Sequence, residues 1–159
     1  MKKIFVNVFI LLILFVFGQN AYSGDTLLKG SVSAVPKNFF GVWRVSSKLL
    51  DTDSPAIFKE NGVDLWNIYL SNNVIYLSNP FSGASAQVEI SKAEGRNFIF
   101  TKNGRYNNKL LTDTVSITIS GDSFIGSDEL ELKTVSDVTG EIIKTENAKY
   151  KITGEKLSE

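Results

Sequence analysis

Residues 110–120 read Leu-Leu-Thr-Asp-Thr-Val-Ser-Ile-Thr-Ile-Ser, and this stretch decides the fold class of the chain. Val115, Ile117 and Ile119 alternate with small hydroxyl side chains. Successive side chains of a β-strand point to opposite faces, so this period of two predicts a strand with one buried side and one water-facing side. Helical spacing of apolar residues is hard to find after residue 40. The sequence therefore predicts an all-β protein.

The same alternation recurs on both sides of this strand, separated by residues that favour turns. Asn72-Asn73 and Asn103-Gly104 tolerate the positive φ that tight hairpin turns require. Gly126 indicates a bulge within a strand. We predict eight strands, near residues 41–49, 64–71, 74–79, 85–92, 96–102, 110–120, 123–136 and 141–153.

Eight sequential antiparallel strands with short connections are what an up-and-down barrel requires. Closing the sheet would remove the two exposed edges that an open sheet has to protect. A two-sheet sandwich is the alternative, because a period of two is common to both architectures. The sequence predicts the eight-stranded barrel first and the sandwich second.

The N-terminus carries the three regions of a secretory signal peptide. Lys2 and Lys3 precede an apolar run from Ile4 to Phe17, and Ala21-Tyr22-Ser23 offers a cleavage site. The run is too short for a spanning helix, which needs about 20 apolar residues. We predict a signal peptide at 1–23, an extended lead-in at 24–38 and one barrel domain at 39–159. The expected location is the periplasm or the extracellular space, with no membrane span after cleavage.

Charge and composition exclude several classes of function. Without Lys2 and Lys3 the chain has 15 basic and 17 acidic side chains, a formal charge of −2, so nothing attracts it to nucleic acid. His and Cys are absent, which removes disulfides, the usual general base, the thiol nucleophile and the common zinc ligands. We expect a monomer with no enzyme activity, no cofactor and no metal.

Phe39, Gly41 and Trp43 form an F-x-G-x-W pattern at the entrance to the first strand. This pattern resembles the opening motif of the calycin group, which includes the lipocalins, fatty-acid-binding proteins and avidins. The resemblance implies a barrel whose first tryptophan packs at one end of the core. In lipocalins an arginine of the last strand lies over this tryptophan, but no arginine follows Arg105 here. Lys151 or Lys156 is expected to take that place as a cation–π partner.

Candidate ligand contacts are apolar side chains expected to face the interior or its mouth. The connection at 51–62 is the longest, so we interpret it as a lid, a short helix or a mouth loop; at the open end of a lipocalin-like barrel it would place Ile57 and Phe58 near a ligand. Trp66, Phe98 and Phe100 share inward faces of their strands. All three could equally be core residues that never touch a ligand.

Three acidic residues are candidate sites. Asp113 lies on the apolar face of its strand, so it could anchor a polar ligand group or act beside a second acid; otherwise it sits at the wet end of the strand. Asp51 and Asp53 resemble the start of a calcium loop. Ala56 and Gly62 stand where that loop needs glycine and a bidentate glutamate, so we expect a solvated turn.

Two functions are consistent with the sequence. The first is an exported barrel that binds a small apolar or amphipathic ligand. The second is an exported protein-interaction domain without a ligand cavity, similar in size and setting to small bacterial barrels that inhibit lysozymes or proteases. The second function would use loops such as Asn79 to Gly83 and Asn103 to Asn108. A pocket of several hundred cubic ångströms would favour the first, and a filled interior the second.

Overall fold

The computed structural model describes residues 35–158; the predicted signal peptide at 1–23 and residues 24–34 of the predicted lead-in lie outside the described residues. The elements are η1 Lys37–Phe39, β1 Gly41–Thr52, β2 Asn61–Ser71, β3 Val74–Ser78, β4 Ser85–Glu94, β5 Asn97–Tyr106, β6 Lys109–Ser120, β7 Ser123–Val135 and β8 Ile142–Ser158. Lys37 and Asn38, which the sequence assigned to the lead-in, belong to the short helix η1.

The eight strands form a closed barrel in which each strand pairs with its neighbours in sequence and β8 pairs with β1. All of these pairings are antiparallel, as up-and-down topology requires. The predicted all-β, eight-stranded up-and-down fold is confirmed, and the sandwich is not formed. Inward side chains alternate with outward ones along each strand, so the core lies inside the ring.

The hairpin turns confirm one of the two predicted asparagine turns and correct the other. Asn72 and Asn73 have φ of 51° and 63° and connect β2 to β3. The turn predicted at Asn103-Gly104 is wrong, because both residues lie within β5, where Gly104 pairs with Leu111 of β6. The chain turns later, at residues 107–108, where Asn107 has φ of 50°. Continued pairing of β5 with β6 therefore outweighs the local turn preference.

Gly126 does not mark a bulge, because the register of β7 with β6 runs through it without a shift. A Cβ atom built on Gly126 would lie 1.9 Å from the carbonyl oxygen of Ser116. The glycine is needed for close approach of two backbones rather than for an extra residue. Register shifts occur instead between Leu49 and Asp51 in β1 and between Ile90 and Lys92 in β4.

The two ends of the barrel differ. At the end that we call the closed end lie η1, the tight turns at 72–73, 95–96 and 121–122, and the last residues of β8. At the opposite end, the loop end, lie the connections 53–60, 79–84, 107–108 and 136–141. Both ends of the described chain lie at the closed end, where Val42 pairs with Ser158.

Candidate functional site

The half of the interior near the closed end is filled by aromatic side chains in contact with one another. The ring of Phe39 stacks on Phe98 with 5.3 Å between centroids, and its edge meets Phe100 at 5.8 Å. The ring of Trp66 stacks on Phe124 at 5.9 Å. Trp66, Phe98 and Phe100, the predicted ligand contacts in the strands, are all buried and touch other rings of the protein.

Trp43 fixes the helix η1 to the barrel. Its indole Nε1–H donates a hydrogen bond of 3.0 Å to the carbonyl oxygen of Phe39. Of the two lysines expected over this ring, Lys156 takes the position, with Nζ 5.7 Å from the ring centroid. The Nζ of Lys156 also donates to the carbonyl oxygen of Asn38 at 3.4 Å. Trp43 is therefore a core residue, as the motif predicts.

Phe124 occupies space that a glycine leaves open. A Cβ atom built on Gly154 would lie 2.1 Å from the Phe124 ring. The absence of a side chain at Gly154 lets the ring contact both tryptophans, with its centroid 5.2 Å from that of Trp43. The aromatic layer therefore depends on this glycine of β8.

Above the aromatic layer, toward the loop end, the interior holds a buried ion pair. Lys102 of β5 and Asp113 of β6 stand directly opposite each other, and the Lys102 Nζ donates a hydrogen bond to Asp113 Oδ2. Both residues are at most 5% exposed. The Lys102 Nζ also lies 5.8 Å from the centroid of a Trp66 ring. Asp113 is thus an inward residue and does not sit at a wet strand end.

The acids around Lys102 keep its ammonium group protonated. Burial acts to lower the pKa of its ammonium, but the charges of Asp113, Asp128 and Asp64 outweigh burial and raise the pKa. Lys102 is therefore protonated at neutral pH. A buried cation of this kind is tolerated only because carboxylates face it.

Asp64 connects the interior to the loop between β3 and β4. Its Oδ2 accepts a 3.1 Å hydrogen bond from Trp66 Nε1, and its Oδ1 accepts from Asn79 Nδ2. The Asn79 Oδ1 in turn accepts from the backbone N–H groups of Phe81 and Ser82, at 2.8 and 3.1 Å. Burial raises the pKa of Asp64. The hydrogen bonds that it accepts from Trp66 and Asn79, together with the charge of Lys102, oppose the rise.

Asp128 of β7 is a further buried acid whose charge acts on Lys102. It is 5% exposed, and burial, followed by the charge of Asp113, raises its pKa to about 8. Among residues 35–158, neither Asp128 Oδ1 nor Asp113 Oδ1 has a hydrogen-bond partner. Asp64, Lys102, Asp113 and Asp128 together form what we call the interior charge cluster.

The β1–β2 connection, residues 53–60, lies at the loop end, and we call it the lid loop after its predicted role, which stays a prediction. Phe58 is 7% exposed and belongs to the core, and Ile57 packs against that core. The backbone N–H groups of both residues donate to the Ser54 carbonyl, which forms a tight turn. The Tyr150 hydroxyl donates a 3.0 Å hydrogen bond to the Lys59 carbonyl and fastens the end of the loop.

The start of the lid loop is fastened by Asp53. Its carboxylate accepts hydrogen bonds from the backbone N–H and the side-chain Nδ2 of Asn147, at 2.8 and 2.9 Å. These bonds lower the pKa of Asp53. Asp51 lies in β1 and Asp53 directly follows that strand, so the two acids belong to the strand end and its first loop residue rather than to a separate turn.

A groove of about 540 Å³ crosses the outer wall near the lid loop, where β1, β6, β7 and β8 run side by side. Glu129 and Lys149 lie across it as an exposed ion pair of 2.7 Å. Its other polar lining residues are Asp51, Thr52, Asp53, Thr112, Thr114, Glu131 and Asn147. The groove is outside the ring, because its charged residues alternate with the buried residues of β7 and β8.

Several large apolar side chains at the loop end are exposed to solvent. Phe81 is 83% exposed in the β3–β4 connection, and Val138 is 93% exposed in the β7–β8 connection. Tyr106 and Ile142, at 53% and 54%, flank the turns at 107–108 and 136–141. Phe81 and Val138 thus lie in loops, whereas Tyr106 and Ile142 are end residues of β5 and β8.

The predicted interaction loops include only some of the exposed apolar residues at the loop end. Phe81 and Tyr106 fall within those loops, whereas Val138 and Ile142 lie outside them. Apolar residues flanking Thr139-Gly140 were the available signal, since a solvated turn rarely needs them. Lys102 and Asp128 were also missed. Each shares a strand face with apolar residues, Phe100 in one case and Leu130 in the other, so the alternation places both inward.

Comparisons of the chain with protein-family models, with curated proteins and with solved structures found no match. Within residues 35–158, no helix is long and apolar enough to cross a membrane. The same residues contain no group of three or more His, Cys, Asp or Glu side chains arranged to hold a metal ion.

Proposed function

We propose that the barrel is an exported protein-interaction domain that recognises its partner through the loop end. The observation that carries this proposal is the exposure of Phe81 and Val138, more than four-fifths of each side chain, at the end where the longer connections lie. Large apolar side chains that are exposed in the free protein are typical anchors of a protein–protein interface. A partner would offer an apolar recess for each of them.

The interior supports this function over the storage of a ligand. Its half near the closed end is occupied by aromatic rings in mutual contact, and above them Lys102 and Asp113 are bonded to each other. Phe58 of the lid loop fills part of the remaining core. The binding energy for a partner would then come from the outer surface of the loops.

The loops that carry Phe81 and Val138 are held by their own hydrogen bonds. Asn79 accepts from two backbone N–H groups in the first loop. In the second loop the Ser136 hydroxyl accepts from the N–H groups of Val138 and Thr139, at 3.3 and 3.2 Å. Loops that are ordered before binding lose less conformational entropy on association, so they suit a recognition role.

Site-specific photocrosslinking tests the proposal. A benzophenone amino acid replaces Phe81 or Val138 in the full-length protein, which is expressed in the cells that normally produce it and irradiated. The matched controls carry the same probe at Ile125 or Leu157, which are 62% and 56% exposed near the closed end. We expect the same discrete crosslinked protein from both loop-end positions and not from the controls.

Two crosslinking results would overturn the proposal. One is equal crosslinking from all four positions, which would indicate nonspecific contact. The other is no crosslinked protein from either loop-end position while folding and abundance are unchanged. In a second step Phe81→Ser should weaken capture of the identified partner at least tenfold, and Ile125→Ser should leave it unchanged.

Binding of a small apolar or amphipathic ligand is the second candidate function. The lid loop and the unpartnered Asp113 Oδ1 favour it, because a ligand entering beneath Phe58 could direct a polar group toward that oxygen. The apolar part would contact the predicted residues Ile57, Phe58, Trp66, Phe98 and Phe100. Native mass spectrometry of protein purified from its own envelope or medium tests this function, which predicts a reproducible small-molecule adduct.

We also propose that the barrel is related to the calycin group. Support comes from Phe39, Gly41 and Trp43 at the start of β1 and from the cation of Lys156 over the Trp43 ring. The lysine stands where lipocalins carry an arginine. A lysine contacts an aromatic face through a single ammonium group and lacks the planar stacking of a guanidinium.

A further inference from the structure

Asp113 and Asp128 each present an unpartnered carboxyl oxygen to the barrel interior. The two residues are 2% and 5% exposed. They lie on neighbouring strands, and Asp113 pairs with Leu130 while Asp128 pairs with Val115, so the two acids are diagonal neighbours on the same face. Diagonal neighbours on one face of an antiparallel pair lie within roughly 8 Å of each other, and the charge of Asp113 acts on Asp128. A buried carboxyl group needs a hydrogen-bond partner or a proton.

We propose that Asp113 and Asp128 share one proton between their Oδ1 atoms, and that this proton controls how firmly Tyr150 holds the lid loop. One hydrogen bond from a protonated carboxyl to a carboxylate would satisfy both oxygens at once. This device does not depend on the partner proposed above, but it uses the same Asp113 Oδ1 that the ligand of the second candidate function would contact.

The charges around the pair indicate which acid carries the proton. Lys102 on β5 faces the pair and already bonds to Asp113 Oδ2, while Asp64 on β2 acts on Lys102 from the other side. Tyr150 on β8 lies opposite Asp128, and Glu129 follows Asp128 on β7 but points outward. Within residues 35–158, the buried ammonium group of Lys102 therefore balances the carboxyl groups of Asp64, Asp113 and Asp128. Asp128, which lacks a bond to Lys102, is the acid that stays protonated, in agreement with its pKa of about 8.

Tyr150 connects this proton to the lid loop. Its hydroxyl donates its one proton to the Lys59 carbonyl. Burial and the charge of Asp128 both raise the pKa of Tyr150, so the two groups interact. When Asp128 loses its proton, its carboxylate becomes a stronger acceptor than a carbonyl and competes for the Tyr150 hydroxyl. The lid loop then keeps its bonds at Asp53 but loses the bond at Lys59.

Infrared spectroscopy tests the shared proton in the full-length protein. We expect a carbonyl stretch of a protonated carboxyl group at pH 7 that disappears as the pH rises through about 8. Asp128→Asn should lack this band. Asp113→Asn should lack it too, because Asp128 then ionises to pair with Lys102. Asp122→Asn, at an exposed turn position, is the matched control and should keep the band.

The spectroscopic outcomes are decisive in either direction. Absence of the band from folded wild-type protein at pH 7, or its persistence in Asp128→Asn, would refute a proton on this pair. The wild-type titration alone gives this answer even where a variant folds poorly.

Hydrogen exchange at Ile57 and Phe58 tests the link to the lid loop. Wild-type rates are divided by those of Asp128→Asn at the same pH, which cancels the intrinsic pH dependence of exchange. We expect this ratio to rise about fivefold to tenfold between pH 7 and pH 9.5. Tyr150→Phe should exchange rapidly at both pH values. A ratio that stays constant with pH, or slow exchange in Tyr150→Phe, would overturn the role of Tyr150.

Discussion

Lys102 and the three acids around it decide the chemistry of the interior at the scale of single residues. A cation of 5% exposure is stable there because Asp113 accepts a hydrogen bond from it and the charges of Asp128 and Asp64 favour its ionised form. Removing one member of such a buried group leaves an uncompensated charge, which costs far more than the net contribution of the intact pair. The interior charge cluster is therefore sensitive to single substitutions.

Substitution of Lys102 by Met is expected to lower the free energy of unfolding by about 3–5 kcal/mol, because Asp113 loses its ammonium partner. Urea denaturation at pH 7 measures the change. The double variant Lys102→Met/Asp113→Leu should recover most of this loss, since it removes both charges together. A double variant as unstable as the single one would show that packing, and not charge, sets the cost.

Stability is expected to depend on pH through Asp128. Its pKa is about 8 in the folded protein and 3.8 in its ordinary state, so between these values the native state holds a proton that the unfolded chain has released. Stability therefore falls as pH rises through this window, by up to about 1.4 kcal/mol per pH unit, and levels off above pH 8.

Urea denaturation of wild type and Asp128→Asn from pH 5 to pH 9 measures this pH dependence of the free energy of unfolding. The difference between the two proteins should shift in favour of the variant as the pH rises toward 8. The exposed Asp122→Asn serves as the control. Parallel stability curves for wild type and Asp128→Asn would contradict a protonated Asp128.

The inward direction of Asp113 follows from the alternation of residues 110–120, and the same alternation would place Lys102 on the face of Phe98 and Phe100. Their pairing is a matter of register, because Lys102 and Asp113 meet only if the β5–β6 turn is at residues 107–108. The turn predicted at Asn103-Gly104 would have made this pairing impossible. For this reason the interior charge cluster could not be derived from local sequence.

At the scale of elements, the short helix η1 closes one end of the ring. It brings Phe39 into contact with Phe98 and Phe100, and the Trp43 hydrogen bond ties it to β1. The lid loop brings Phe58 into the core at the other end of the ring. Polar side chains anchor this loop. The two ends therefore differ in how they are closed, one by aromatic packing and the other by hydrogen bonds.

Substitution of Trp43 by Phe is expected to lower stability by about 1–3 kcal/mol, because the Phe39 carbonyl loses its partner and a cavity forms beside Phe124. Thermal or urea unfolding followed by circular dichroism measures the loss. Crosslinking from Phe81 should be unchanged, since the change is at the closed end. Wild-type stability in this variant would contradict the structural role of Trp43.

At the scale of the whole molecule, the closed ring is the property that local patterns could not decide. A period of two predicts eight strands in a barrel or in a sandwich alike. The choice depends on whether β1 meets β8, which are more than ninety residues apart at Thr52 and Ala148. Closure is thus a long-range property, whereas the number and order of the strands are local ones.

The ring is not equally strong all the way round. β7 pairs with β8 from Ser123 to Val135, whereas β3 pairs with β4 only from Ile75 to Ser78. We expect backbone amides of β3 to exchange with solvent at least ten times faster than those in the middle of β7 under native conditions. Hydrogen exchange followed by NMR measures both. Slower exchange in β3 than in β7 would contradict this order of local stability.

Both ends of the described chain meet beside η1, where Val42 pairs with Ser158 and Lys156 reaches Asn38. A label, a surface attachment or a fused domain joined directly to either end of the described residues would therefore extend from the side opposite Phe81 and Val138. A barrel tethered by either of these ends presents its loop end outward. Partner binding can therefore be measured on a surface with the attachment at either end.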